Sequence, residues 1–140
     1  MKKLLLLLVV SLFGCTRMLH SFEYTFEKLP PHPSSLILQQ QVEIISAAGS
    51  TRFEAALESA PQEITFVVFS SLGPRAFLLR ETDYLAFIER SRLYHLPVSD
   101  SELRNILHQF LSSYVHARQK EIIEVQSEKG LRIIFRNSTR

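Results

Sequence analysis

The chain holds a single cysteine, only four glycines, and no long apolar run beyond its first residues. Each shortage excludes something. One cysteine has no partner for a disulfide within the chain. With few glycines, the only loop resembling a phosphate cradle is Ser70-Ser71-Leu72-Gly73-Pro74. Pro74 removes one of the N–H groups such a cradle would use. Histidine is present at positions 20, 32, 95, 108 and 116. His108 and His116 stand eight apart, not at the i, i+4 spacing of helical zinc ligands. There is no G-x-S-x-G elbow. The expectation is therefore a protein that is not an enzyme, with no cofactor and no catalytic or metal residues. Excess charge is also missing. The chain carries 16 Lys+Arg and 14 Asp+Glu, and Lys2 and Lys3 account for the surplus. Residues 15–140 are balanced, which gives no electrostatic case for nucleic acid.

What is present begins at the N-terminus. Met1-Lys2-Lys3 is a cationic start, followed by the uncharged LLLLLVVSLF from Leu4 to Phe13. As a helix this run would span about 15 Å, half of a bilayer's hydrocarbon core, so it reads as a signal segment rather than a spanning helix. Leu12-Phe13-Gly14-Cys15 resembles the lipobox of bacterial lipoproteins. The resemblance implies cleavage between Gly14 and Cys15, diacylation of the Cys15 thiol (palmitate being the usual label) and acylation of the new N-terminus. Two or three chains anchor firmly where one does not. Thr16 is not the aspartate that resembles an inner-membrane retention signal. The expected location is the cell envelope, lipid-anchored in the outer membrane and facing the periplasm.

Residues 1–14 are thus expected to be a signal peptide, 15–35 a tether or N-terminal arm, and 36–140 one domain. The arm carries Leu29-Pro30-Pro31-His32-Pro33, which denies helix. Phe22, Tyr24 and Phe26 alternate as in a short strand, and a folded-back arm fits equally well. From Leu36, short β-type runs recur about every ten residues between turn residues, the pattern of consecutive antiparallel strands. Phe53, Ala55 and Leu57 fall on one face of their run; Arg52, Glu54 and Glu58 fall on the other. The period then changes. Leu103, Ile106, Leu107, Phe110, Leu111, Tyr114 and Val115 form one helical stripe, predicting a helix from about Asp100 to about Arg118. Ser99 and Glu102 match a capping box. EIIEVQS and LRIIFRN around Gly130 read as a hairpin.

Two central runs do not alternate. ITFVVF and AFLL are apolar on both sides, so the middle of the sheet needs two coverings. The helix supplies one. Curling of the sheet, the arm, a partner or an apolar ligand could supply the other. Phe66, Val68, Phe77 and Leu79 form one candidate set for lining a ligand cavity.

Ser71-Leu72-Gly73-Pro74-Arg75-Ala76-Phe77-Leu78-Leu79, preceded by FEAALESAPQEITFVVF, resembles the strand–turn–strand run with L-G-x-R of LolB-like bacterial lipoproteins. It is similar above all to an uncharacterised outer-membrane lipoprotein family with a LolA/LolB-like fold. The resemblance implies an α+β fold: a curved antiparallel sheet, an incomplete barrel, with one main amphipathic helix packed on it. It also implies a concave apolar side for acyl chains. Two functions follow as expectations. One is binding of lipid or lipoprotein acyl chains in envelope transport or assembly. The alternative is a structural or adaptor lipoprotein that docks on another envelope protein and binds no ligand.

Overall fold

The computed structural model describes residues 18–24, 28–69, 75–91, 96–117 and 121–139, with backbone alone for 18–24 and 139. Gly14, Cys15 and Thr16 lie outside the described residues. The strands are β1 (Met18–Tyr24), β2 (Leu36–Ser46), β3 (Gly49–Ala60), β4 (Glu63–Phe69), β5 (Arg75–Thr82) and β6 (Leu85–Ser91). One helix, α1 (Asp100–His116), follows, and the β7 (Ile122–Gln126) and β8 (Arg132–Thr139) hairpin closes the order. The runs read from period two are strands, and the run read from period 3.6 is the helix.

All strands join one open antiparallel sheet in the order β1-β6-β5-β4-β3-β2-β8-β7. β2 to β6 form a meander, as short connections between alternating strands favour. The hairpin returns beside β2. β1 pairs with β6 over its whole length, from Met18 opposite Ser91 to Tyr24 opposite Leu85. Within the stretch expected at 15–35 as a tether or N-terminal arm, Met18–Tyr24 thus forms an edge strand of the sheet. Residues after β1 are held too. The Leu29 N–H donates to Asp83 Oδ1 at 3.0 Å, and the Ser59 hydroxyl donates to the Pro33 carbonyl at 2.5 Å. His32 lies between the carbonyls of Pro30 and Ala60, 2.7 and 2.8 Å from its two ring nitrogens. Prolines that deny helix leave carbonyls free of any ladder, and side chains take them up.

The core sits between α1 and one face of the sheet. Glu81 of β5 is hydrogen-bonded to α1, which fixes which face that is. By register, Phe77 and Leu79 share it with Phe66 and Val68, with Ala55 and Leu57, and with Leu38 and Val42. From the helix come Leu103, Ile106, Leu107, Phe110, Leu111 and Tyr114, all buried in the same cluster. Val115 is the exception to the expected stripe: it is 42% exposed. A period of 3.6 carries this last position to the stripe's margin, where the sheet no longer reaches.

The sheet curls. β6 and β7 stand six places apart in the order, about 29 Å if flat, at roughly 4.8 Å per step. Yet the first turn of α1 meets both sides. Arg90 of β6 pairs with Asp100 at 3.7 Å, while Lys129 of the β7–β8 turn reaches Glu102 at 4.0 Å. The helix also runs alongside β7.

One turn carries strain. Asp83 and Tyr84 join β5 to β6, and Tyr84 adopts φ 71°. A left-handed conformation costs a residue with a Cβ about 1–2 kcal/mol, and asparagine tolerates it better. Tyr84→Asn is expected to raise stability by up to about 1 kcal/mol, read as a higher midpoint in thermal unfolding. An unchanged or lower midpoint would show that the half-exposed ring contributes more than the strain costs.

Candidate functional site

The four residues expected to line a ligand cavity take the helix-covered side. Phe66, Val68, Phe77 and Leu79 are between 0 and 2% exposed and belong to the core that α1 fills. The reason is register: pairing with Leu57 and Ala55 puts them on the face that turns toward α1. The opposite set points away from the helix. Ala56, Val67, Leu78 and Glu89 form a cross-strand row over β3 to β6. Leu78 is 4% exposed, Val67 half-buried, and Phe69, next on that side of β4, is 37% exposed. Arg75 enters this side because the register shifts between Val68 and Phe69, and its guanidinium pairs with Glu89. On this side Leu78 is buried, and the apolar surface left open lies at the end of β4, at Phe69, near the Arg75–Glu89 ion pair.

A second cluster went unread in the sequence. Glu81, 2% exposed, accepts from Arg104 Nη2 at 3.0 Å. His108 Nε2 lies 3.0 Å from Oε1 and 2.9 Å from Oε2 of the same carboxylate. An ionised carboxylate only accepts, so Nε2 carries the proton. Burial pushes the Glu81 pKa up, but the hydrogen bonds from His108 and Arg104, with their charges, outweigh it and hold the carboxyl below the ordinary range. Arg104 and His108 are four apart on α1, beside the apolar stripe, which places both over β5. That spacing was the available signal, but it names no partner. The cluster fastens helix to sheet.

A third feature is a cleft of about 190 Å³ between the first turns of α1 and the β7–β8 turn. Glu102, Asn105, Gln109, Ser127 and Lys129 line it over Ile106. The start of α1 forms one wall. The Ser99 hydroxyl accepts from the Glu102 N–H at 3.3 Å, the first half of the expected capping box. The second half is missing. The Glu102 carboxylate does not return to the Ser99 N–H; its Oε1 is buried with no hydrogen-bond partner. The opposite wall is rigid. The Ser127 hydroxyl accepts from the Leu131 N–H at 3.0 Å, the Ser127 carbonyl accepts from Gly130, and Gly130 takes φ 80°. Glycine adopts that conformation without a Cβ penalty.

Among the described residues no helix is long and apolar enough to cross a membrane, and no group of three acidic, histidine or cysteine side chains could hold a metal ion. No protein-family model, curated protein or solved structure matches the chain.

Proposed function

We propose that the protein is a bacterial lipoprotein anchored through Cys15, facing the periplasm from the outer membrane, and that it works by docking on another envelope protein rather than by carrying acyl chains. One observation carries this reading. The side of the sheet that would cradle an acyl chain is occupied by α1, whose Ile106, Leu107, Phe110 and Leu111 are all 0 or 1% exposed. The curled open sheet with its helix fits the resemblance to LolB-like lipoproteins; the filled interior fits the adaptor alternative. Exposed Phe69, with half-buried Val67 and Ala56 beside it, is the docking surface in this reading. The partner then presents an apolar patch.

The position of β1 adds a constraint. Two residues, Thr16 and Arg17, lie between Cys15 and Met18, at most about 11 Å of extended chain from Cα to Cα. A lipid on Cys15 therefore holds the sheet against the bilayer, and the partner must be reachable there.

Two measurements test the reading. Palmitate label is expected in the wild type and absent from Cys15→Ser, which should be recovered unprocessed or soluble. Label that persists in the variant removes the anchor. Native mass spectrometry of the purified protein is expected to show no lipid beyond the anchor. Co-purified lipid would instead favour the acyl-binding reading, with α1 as a lid that leaves the concave face.

A further inference from the structure

The cleft beside Glu102 has a chemistry that neither the core nor the docking row uses. Its carboxylate is left short of donors although its side chain is only 10% exposed. Oε1 is buried without a partner, and Oε2 has Lys129 Nζ at 4.0 Å, beyond hydrogen-bond distance. A buried acceptor without a donor is costly, and an ammonium supplies three donors at once. Lys129 is 74% exposed, so its long chain can swing away and present its charge to an anion instead. The remaining polar walls are the amides of Asn105 and Gln109, the hydroxyls of Ser99, Ser101 and Ser127, and a second carboxylate, Glu128, which favours the ammonium end of a ligand and leaves Lys129 as the one cation for a phosphate. At about 190 Å³ the cleft falls below the roughly 300 Å³ of a drug-sized pocket. It suits a small polar molecule, not an acyl chain.

Its place in the fold is informative. Asp100, two residues before Glu102, pairs with Arg90, and Arg90 lies opposite Leu19 in the β1–β6 ladder. The cleft therefore opens at the end of the sheet where the chain arrives from Cys15. We propose that it binds an ammonium–phosphate zwitterion of the phosphoethanolamine class, the ammonium against the Glu102 carboxylate and the phosphate against Lys129, with a lipid headgroup as its source. That source rests on the anchor at Cys15; the ligand chemistry does not.

The test uses the purified protein with O-phosphoethanolamine by titration calorimetry, and then with vesicles of phosphatidylethanolamine or of phosphatidylcholine. Saturable binding of O-phosphoethanolamine is expected, weakened about tenfold or more in Lys129→Gln and in Glu102→Gln. Phosphocholine, whose nitrogen has no proton to donate, should bind at least as weakly as those variants. Lys129 is exposed, so Lys129→Gln reports on the cleft even if Glu102→Gln disturbs the helix start. Absence of saturable binding, or equal binding of phosphocholine, overturns the assignment. Binding of the free compound without preference for phosphatidylethanolamine vesicles overturns the headgroup source. The intact mass is read in parallel. An unacylated Cys15 with the expected titration removes the anchor and leaves the cleft's ligand assigned.

Discussion

Phe110→Ala is expected to cost about 3–5 kcal/mol, a large share of the 5–15 kcal/mol that holds a domain of this size together. Phe110 is 0% exposed. Its ring lies 4.5 Å from that of Phe135 and 5.8 Å from that of Tyr114, centroid to centroid. Truncation removes the ring's burial and leaves a cavity among Phe135, Tyr114 and the central strands. Apart from Tyr114 on α1 itself, the walls belong to strands held by ladders on both sides, so they cannot collapse to fill it. Val115→Ala, on the same helix but 42% exposed, should stay within about 0.5 kcal/mol. Urea unfolding of the two variants beside the wild type gives the comparison. Similar small losses in both would show that α1 is peripheral, and the filled interior on which the docking reading stands would go with it.

Glu81→Ala is expected to be as damaging, for a different reason. The substitution removes the carboxylate that faces Arg104 and His108 inside the helix–sheet contact. Breaking one side of a buried ion pair costs about 3–5 kcal/mol, because the remaining charge stays out of water. Replacing Glu81 and Arg104 together by Leu and Met should recover most of that loss, since apolar groups of similar volume need no partner. If the double variant is no better than the single one, the penalty does not come from stranded charge. The same carboxylate predicts acid sensitivity. Its folded pKa is held below the unfolded value of about 4.3. Its contribution is thus present above that value and lost as the pH falls through the folded pKa. The slope of stability against pH below about 4.3 should be shallower in the Leu/Met double variant than in the wild type. Equal slopes would assign the acid sensitivity elsewhere.

Element types were legible because period is local. Alternation in RFEAALES marked β3 and its two faces, and the seven-position stripe from Leu103 marked α1 to within two residues of its C-terminal end. Ser99 marked its start. The expectation of a lipidated Cys15 likewise rests on neighbouring residues alone, the lipobox-like run Leu12-Phe13-Gly14-Cys15. The capping box was half legible. Ser99 caps as its position suggests, but the Glu102 carboxylate answers to the β7–β8 turn, which lies far along the chain.

Register and partnership were decided by tertiary structure alone. ITFVVF and AFLL are apolar on both sides, so nothing within them says whether Phe66 or Val67 turns toward the helix. Pairing of Leu57 with Phe66 and of Phe66 with Leu79 settles it, since a slip of one residue would exchange the faces. Glu81 meets Arg104 and His108 only because the curled sheet brings β5 under α1. The partner of β1, whose alternation of Phe22 and Tyr24 suggested a strand, is β6, 61 to 73 residues further along. A hydrogen bond across such a separation leaves no mark on local period. The sequence by itself determined which runs are strand and which is helix. Which side of the sheet is filled, and what lies beside Glu102, came from contacts that exist only once the chain is closed.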